Sequence, residues 1–98
     1  MVRLVGLWTK PGDVDAFQRE YLRAYYPALD RLENALDASI SRCVDGAYFQ
    51  MTEVSFANLQ DMEAALETEF GKRVLNDAQD LADRYGVRVE VLVVEEPR

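Results

Sequence analysis

The stretch DVDAFQREYLRAYYPAL, residues Asp13–Leu29, reads as one amphipathic helix. Phe17, Tyr21, Ala24, Tyr25 and Ala28 fall at i, i+4, i+7, i+8 and i+11, so a regular helix puts them on one face. Three of the five are aromatic, and two of those rings carry a hydroxyl tip. A helix of purely structural purpose would more often present Leu, Ile or Val there. Asp13 is placed to cap the free N–H groups of the first turn, and Asp15 suits the positive helix end. Pro27 restrains the residue before it, which predicts a kink or an end near Tyr26.

Strand patterns flank this helix. On its N-terminal side Val2–Thr9 alternates Val2, Leu4, Gly6 and Trp8 against Arg3, Val5, Leu7 and Thr9, apolar on both faces as a central strand would be. Gly6 in a strand interior marks either a bend or the floor of a cavity. Lys10-Pro11-Gly12 then turns the chain into the helix. On the C-terminal side Ala38–Val44 is a second, more polar strand, and Asp45-Gly46 is a two-residue hairpin signal. Ala47–Phe56 follows as a third strand, with Tyr48, Gln50, Thr52, Val54 and Phe56 on one face. Asn58 caps a further helix carrying Leu59, Met62, Ala65 and Leu66. A last helical pattern from Thr68 presents Phe70, Val74, Ala78, Leu81, Ala82 and Tyr85, with a break expected around Gly71. Gly86 stops it, and Val87–Glu95 is a final strand apolar enough to sit well inside a sheet.

The order is β-α-β-β-α-β, the ferredoxin-like arrangement of the α+β class. It predicts a four-stranded antiparallel sheet with the helices on one face. The opposite sheet face is not polar, because the first and last strands are apolar on both sides. A symmetric homodimer, sheet packed against sheet, is the economical way to cover it.

Composition narrows the function classes. The 98 residues suit one domain spanning 1–98. No apolar run approaches the roughly 20 residues of a membrane span, and no signal-peptide pattern opens the chain, so a cytoplasmic location is expected. A net charge of −7 with scattered basic residues argues against nucleic acid or anionic lipid as partners. The lone Cys43 has no intramolecular partner. Histidine is absent, which removes the commonest general base, the commonest metal ligand and every Ser-His or Cys-His pair. There is no phosphate loop and no metal-ligand spacing; nothing specifies a cofactor. Arg42, Arg88, Glu53 and Glu90 lie within strands, where cross-strand ion pairs are the expected use.

The run KPGDVDAFQREYLRAYYPAL resembles the opening of EthD-like proteins, members of the dimeric α/β-barrel superfamily, in its Lys10-Pro11-Gly12 turn, Phe17, Tyr21 and Pro27. The closing half, from Val54 to Glu96, is similar as well. The family pattern Tyr-x-x-x-His-x-Pro-Leu is met by Tyr21 and Pro27. Tyr25 stands in the histidine's place and Ala28 in that of the Leu. The resemblance implies a homodimeric α/β barrel with a ligand cavity between sheet and helices in each subunit. It also implies a role in degradative or biosynthetic chemistry of small organic molecules, often without metal or flavin.

Residues able to line such a cavity are Trp8, Tyr21, Tyr25, Tyr48 and Phe56, with Gln50 and Thr52 as polar points. The same rings could equally fill the core with their hydroxyls at its edge. Tyrosine titrates near 10, so Tyr25 would be a poor base but a serviceable hydrogen-bond donor. Three functions follow as expectations. One is a cofactor-independent enzyme of monooxygenase, cyclase or isomerase type, with Tyr25 as its catalytic residue and a small hydrophobic or polyketide-like substrate. The second is a non-catalytic binding or accessory protein of such a pathway. The third is a small-molecule-sensing module.

Overall fold

A computed structural model describes residues 1–97. Strand β1 (Val2–Trp8) leads through α1 (Val14–Glu20), a π-helical turn (Tyr21–Tyr25) and α2 (Tyr26–Leu29) to β2 (Asp37–Arg42) and β3 (Gln50–Phe56). Then α3 (Leu59–Glu67) and α4 (Glu69–Arg84) precede β4 (Val89–Glu95). The sheet order is β2-β3-β1-β4, antiparallel at every pairing, which is the ferredoxin-like arrangement. β1 is central, as its two apolar faces demand. No described helix is long and apolar enough to cross a membrane.

The register sets what faces the helices. Val2, Leu4, Gly6 and Trp8 stand opposite Phe56, Val54, Thr52 and Gln50 on β3, and all eight share the helix side. Burial alternates strictly along β3, with Gln50, Thr52, Val54 and Phe56 inside. Around Phe56, Val2, Leu29, Leu32, Met62 and Val74 form one core cluster. Around Trp8, Phe17, Tyr21, Leu81 and Val87 form the other.

The organising helix departs from its expected regularity. Asp13 caps it, its side chain accepting from the Ala16 N–H at 3.0 Å. After Glu20 the chain widens into the π turn, where the Tyr26 N–H donates to the Tyr21 carbonyl. Pro27 then falls in the first turn of α2, where a missing N–H costs little, so the helical course reaches Leu29 instead of ending at Tyr26. The wider turn also exposes Ala24, expected inside, and brings Tyr26 inward. The Tyr26 ring stacks on Tyr21 at 6.4 Å, and its hydroxyl donates to the Ala38 carbonyl of β2 at 3.0 Å.

Other boundaries also shift. β2 and β3 are joined not by a two-residue turn but by residues 43–49, closed by the Cys43 N–H donating to the Phe49 carbonyl at 2.9 Å. β4 is an edge strand, paired to β1 alone and largely exposed, rather than set well inside the sheet. Arg42 lies over the Phe49 ring at 4.1 Å, and Glu53 pairs with Arg3 at 3.7 Å, so the expected partners among the strand charges are replaced.

The break between α3 and α4 falls at Thr68, whose backbone is extended. Its hydroxyl accepts from the Gly71 N–H at 2.9 Å and lies 2.7 Å from the Ala65 carbonyl, to which it donates. Gly71 lies inside α4 and supplies clearance: a Cβ there would stand 2.1 Å from the Ala65 carbonyl oxygen and 2.8 Å from the Leu66 Cα. Both are backbone atoms and cannot swing aside. Gly71→Ala is therefore expected to cost about 2–3 kcal/mol, by the usual cost of overpacking. Urea denaturation checks this, and a loss under about 0.5 kcal/mol would refute the close crossing.

Candidate functional site

Trp8 is fully buried at the end of β1 and is met by three rings of the organising helix. Phe17 lies at 5.8 Å, Tyr21 at 5.4 Å edge-on and Tyr25 at 5.4 Å edge-on. Such geometry places ring edges against ring faces, the arrangement aromatic quadrupoles favour. Tyr21 and Tyr25, one turn apart, both meet the same indole.

A buried indole N–H needs an acceptor. Trp8 Nε1 finds Thr52 Oγ1 at 3.1 Å, across the strand pair from Gly6. The indole leans over Gly6, where a Cβ would lie 3.3 Å from Nε1. The Tyr21 hydroxyl bonds to the same Thr52 oxygen. Gln50, 1% exposed, lies beside the Tyr21 hydroxyl, while its Nε2 has no hydrogen-bond partner.

Next to this polar knot is a cavity of about 320 Å³ between the sheet and α4. Leu4, Gly6, Thr52 and Val54 form its floor and Val89 and Val91 of β4 one wall. Tyr25 and Leu29 close one end, while Val74, Leu75, Ala78 and Gln79 of α4 cover it. None of these side chains is charged. The volume is at the small end of ligand-site sizes, and the lining is mostly apolar with few polar points, as such sites usually are. Of the two readings of Gly6, the structure has the cavity floor.

The expected site residues separate accordingly. Tyr25 and Thr52 line the cavity. Trp8, Tyr21 and Gln50 stand behind it, fully covered, and Trp8 and Tyr21 both bond to Thr52. Phe56 is core, packed with Met62 and Ala65 at the far end of β3. Tyr48 is off the helix-facing register in the 43–49 connection, and its hydroxyl bonds to Glu90 near Thr9 and Arg88. The contributions of α4 and β4 were not singled out from sequence, because Val, Leu and Ala at helical or strand spacing read only as core. Among the described residues no group of three or more His, Cys, Asp or Glu side chains could hold a metal ion.

Burial governs the electrostatics. It pushes the Tyr21 hydroxyl up to about 12, partly offset by its bond to Thr52 and by the adjacent Gln50 amide. Burial likewise raises Tyr25 far above 10, and neighbouring Tyr21 and Asp77 raise it further. Both are protonated at neutral pH and act as donors, not bases. Because the folded state holds the Tyr21 proton more tightly than the unfolded chain, its contribution is intact below pH 10 and lost as pH rises from 10 towards 12. Two units correspond to about 2.7 kcal/mol. Denaturation midpoints measured from pH 8 to 12 should fall accordingly, and Tyr21→Phe should flatten that fall. An unchanged alkaline slope in the variant would remove Tyr21 as its source.

No family model matches the chain, and no curated protein matches it. Solved structures do. An ethyl tert-butyl ether D (EthD) family protein of Bacillus halodurans superposes with a TM-score of 0.89 at 24% identity, over 99% of each chain. A DABB family protein of Mesorhizobium loti, described as having a ferredoxin-like fold, gives 0.78 at 10% identity over 99% of this chain and 97% of its own. SnoaB of Streptomyces nogalater, a cofactor-independent oxygenase, gives 0.70 at 13% identity over 99% and 93%. Each likeness runs the length of the chain, and what it shows is a shared ferredoxin-like fold.

Proposed function

We propose that this protein is EthD-like in function as well as fold, and binds a small, neutral, hydrophobic organic molecule in the cavity between the sheet and α4. Aromatic or polyketide-like compounds are the class that fits. The observation that carries this reading is the lining: an apolar cavity of about 320 Å³ with Thr52, Tyr25 and Gln79 as its polar points and no charge. An ionised ligand would be stripped of water there with nothing to pair it.

Two uses of the bound molecule remain distinct. As a cofactor-independent enzyme of oxygenase, cyclase or isomerase type, the protein would use Tyr25 to donate a hydrogen bond to charge developing on the substrate. The likeness to SnoaB favours this version. As a binding or accessory protein it would need no group that accepts a proton, and the raised tyrosines together with the absence of histidine favour that version. Tyr25→Phe should abolish any turnover while leaving the thermal midpoint within a few degrees. Retained turnover would take Tyr25 out of the chemistry. Binding itself is read by thermal shift against a panel of neutral aromatics, with Ala78→Phe, which fills the cavity, expected to lose the response. A panel that leaves the midpoint unmoved would remove the ligand reading.

The bare sheet face supports a homodimer. Val5 and Leu7 of β1, Met51 of β3 and Leu92 and Val94 of β4 share it, the last two 39% and 40% exposed. A second copy packed sheet to sheet would cover this patch and keep the symmetry closed. Leu92→Lys should shift native mass spectra from dimer to monomer at micromolar concentration; a dimer that survives would move the interface elsewhere. A cytoplasmic location fits the single, unpaired Cys43.

A further inference from the structure

The apolar cavity ends at Tyr25, and a second chamber lies beyond that residue. It is a cleft of about 260 Å³ between the organising helix and α4, and it carries Glu20, Asp77 and Arg84. Among the described residues Tyr25 alone lines both chambers. Neighbours in α4 divide between them in the same way, Ala78 covering the cavity and Asp77 the cleft. The two spaces therefore lie side by side under one turn of α4, with Tyr25 between them.

Their chemistry is opposite. No charged side chain lines the cavity. In the cleft Arg84 pairs with Glu20 at 2.7 Å, which leaves Asp77 with no ion pair among the described residues and one negative charge in excess. A ligand long enough to pass Tyr25 would leave apolar surroundings for acidic ones. The ring is not free to let it pass. It stands edge-on to Trp8 at 5.4 Å and against Tyr21 at 5.3 Å, and swinging aside would forfeit both aromatic contacts.

We propose that the Tyr25 ring determines the specificity of the site, as an end wall that holds the ligand to a compact, neutral body and keeps elongated or basic molecules out of the acidic cleft. This rests on the cavity being the ligand site, and it adds the residue that limits ligand length. The ring does this and the hydroxyl does not, so selectivity and any hydrogen bond from Tyr25 are separable by mutation.

The test titrates ethylbenzene, butylbenzene and 4-phenylbutylamine calorimetrically into the intact protein. Two further methylenes, if fully buried, raise affinity about 15-fold; wild type and Tyr25→Phe should gain no more than about twofold from them, and Tyr25→Ala most of the full amount. Tyr25→Ala should also bind 4-phenylbutylamine about tenfold more tightly than wild type does, the range of one charge-assisted hydrogen bond, and adding Asp77→Asn should remove that gain. Should Tyr25→Ala fail to fold, Tyr25→Leu, which keeps apolar packing against Trp8, carries the same expectations. A full gain from ethylbenzene to butylbenzene already in wild type, or none in the shortened variant, would overturn the end wall and leave the cavity as the binding site. A gain for butylbenzene with none for the amine would overturn the acidic cleft as the space behind the wall. Binding of none of the three probes to wild type would overturn the cavity reading and this proposal with it.

Discussion

A single buried donor, the Trp8 indole N–H, constrains much of this molecule. It cannot be left without an acceptor, and of the two residues directly across from Gly6, Thr52 on β3 and Val91 on β4, Thr52 alone has a side chain that can accept. That pairing needs Gly6 between them, because the indole passes where a side chain would be. It also holds the first two central strands in register, since a slip of one residue would turn Thr52 to the other face. The helix answers with Tyr21 on the same oxygen. The floor of the cavity is thus built from the group that locks the core, so packing and site chemistry are hard to separate by mutation.

Much of the fold was legible in sequence for physical reasons that can be named. Alternation along Gln50–Phe56 and the two-faced apolarity of Val2–Trp8 gave the sheet, because period two and double burial have few other meanings. Helix caps at Asp13 and Asn58 were equally plain. The π turn was not, since helical periodicity assumes a fixed angle per residue and one wider turn leaves the composition untouched. It exposes Ala24 and draws in Tyr26, against the facing that regular periodicity gives. The hairpin misled for a related reason. Asp45-Gly46 does bend, with Gly46 at φ 95° and the Asp45 carboxylate accepting from its N–H, but inside a longer connection.

The candidate site was half legible. Tyr25 and Thr52 could be picked out as polar groups on inward faces. Trp8, Tyr21 and Gln50 could be picked out too, yet sequence does not separate residues lining a cavity from those standing one layer behind it. Tyr48 departs from the inward face because the alternation of β3 does not extend back past the strand's start at Gln50. The walls from α4 and β4 carried no chemical signal. Their part comes from geometry: α4 spans above β4 without closing on it, and Val91 and Val93 remain 51% and 53% exposed.

The π turn has a consequence for how this chain is compared with others. Such a turn accommodates one residue more than the α-helical course on either side of it. A relative that runs α-helical through the same region reaches its proline with one residue fewer. An ungapped alignment would then be correct before the turn and one position out after it, or the reverse. Equivalence at Tyr25 and Tyr26, where a family pattern places a histidine, is therefore a matter of superposed side chains. Counting residues back from Pro27 cannot settle it.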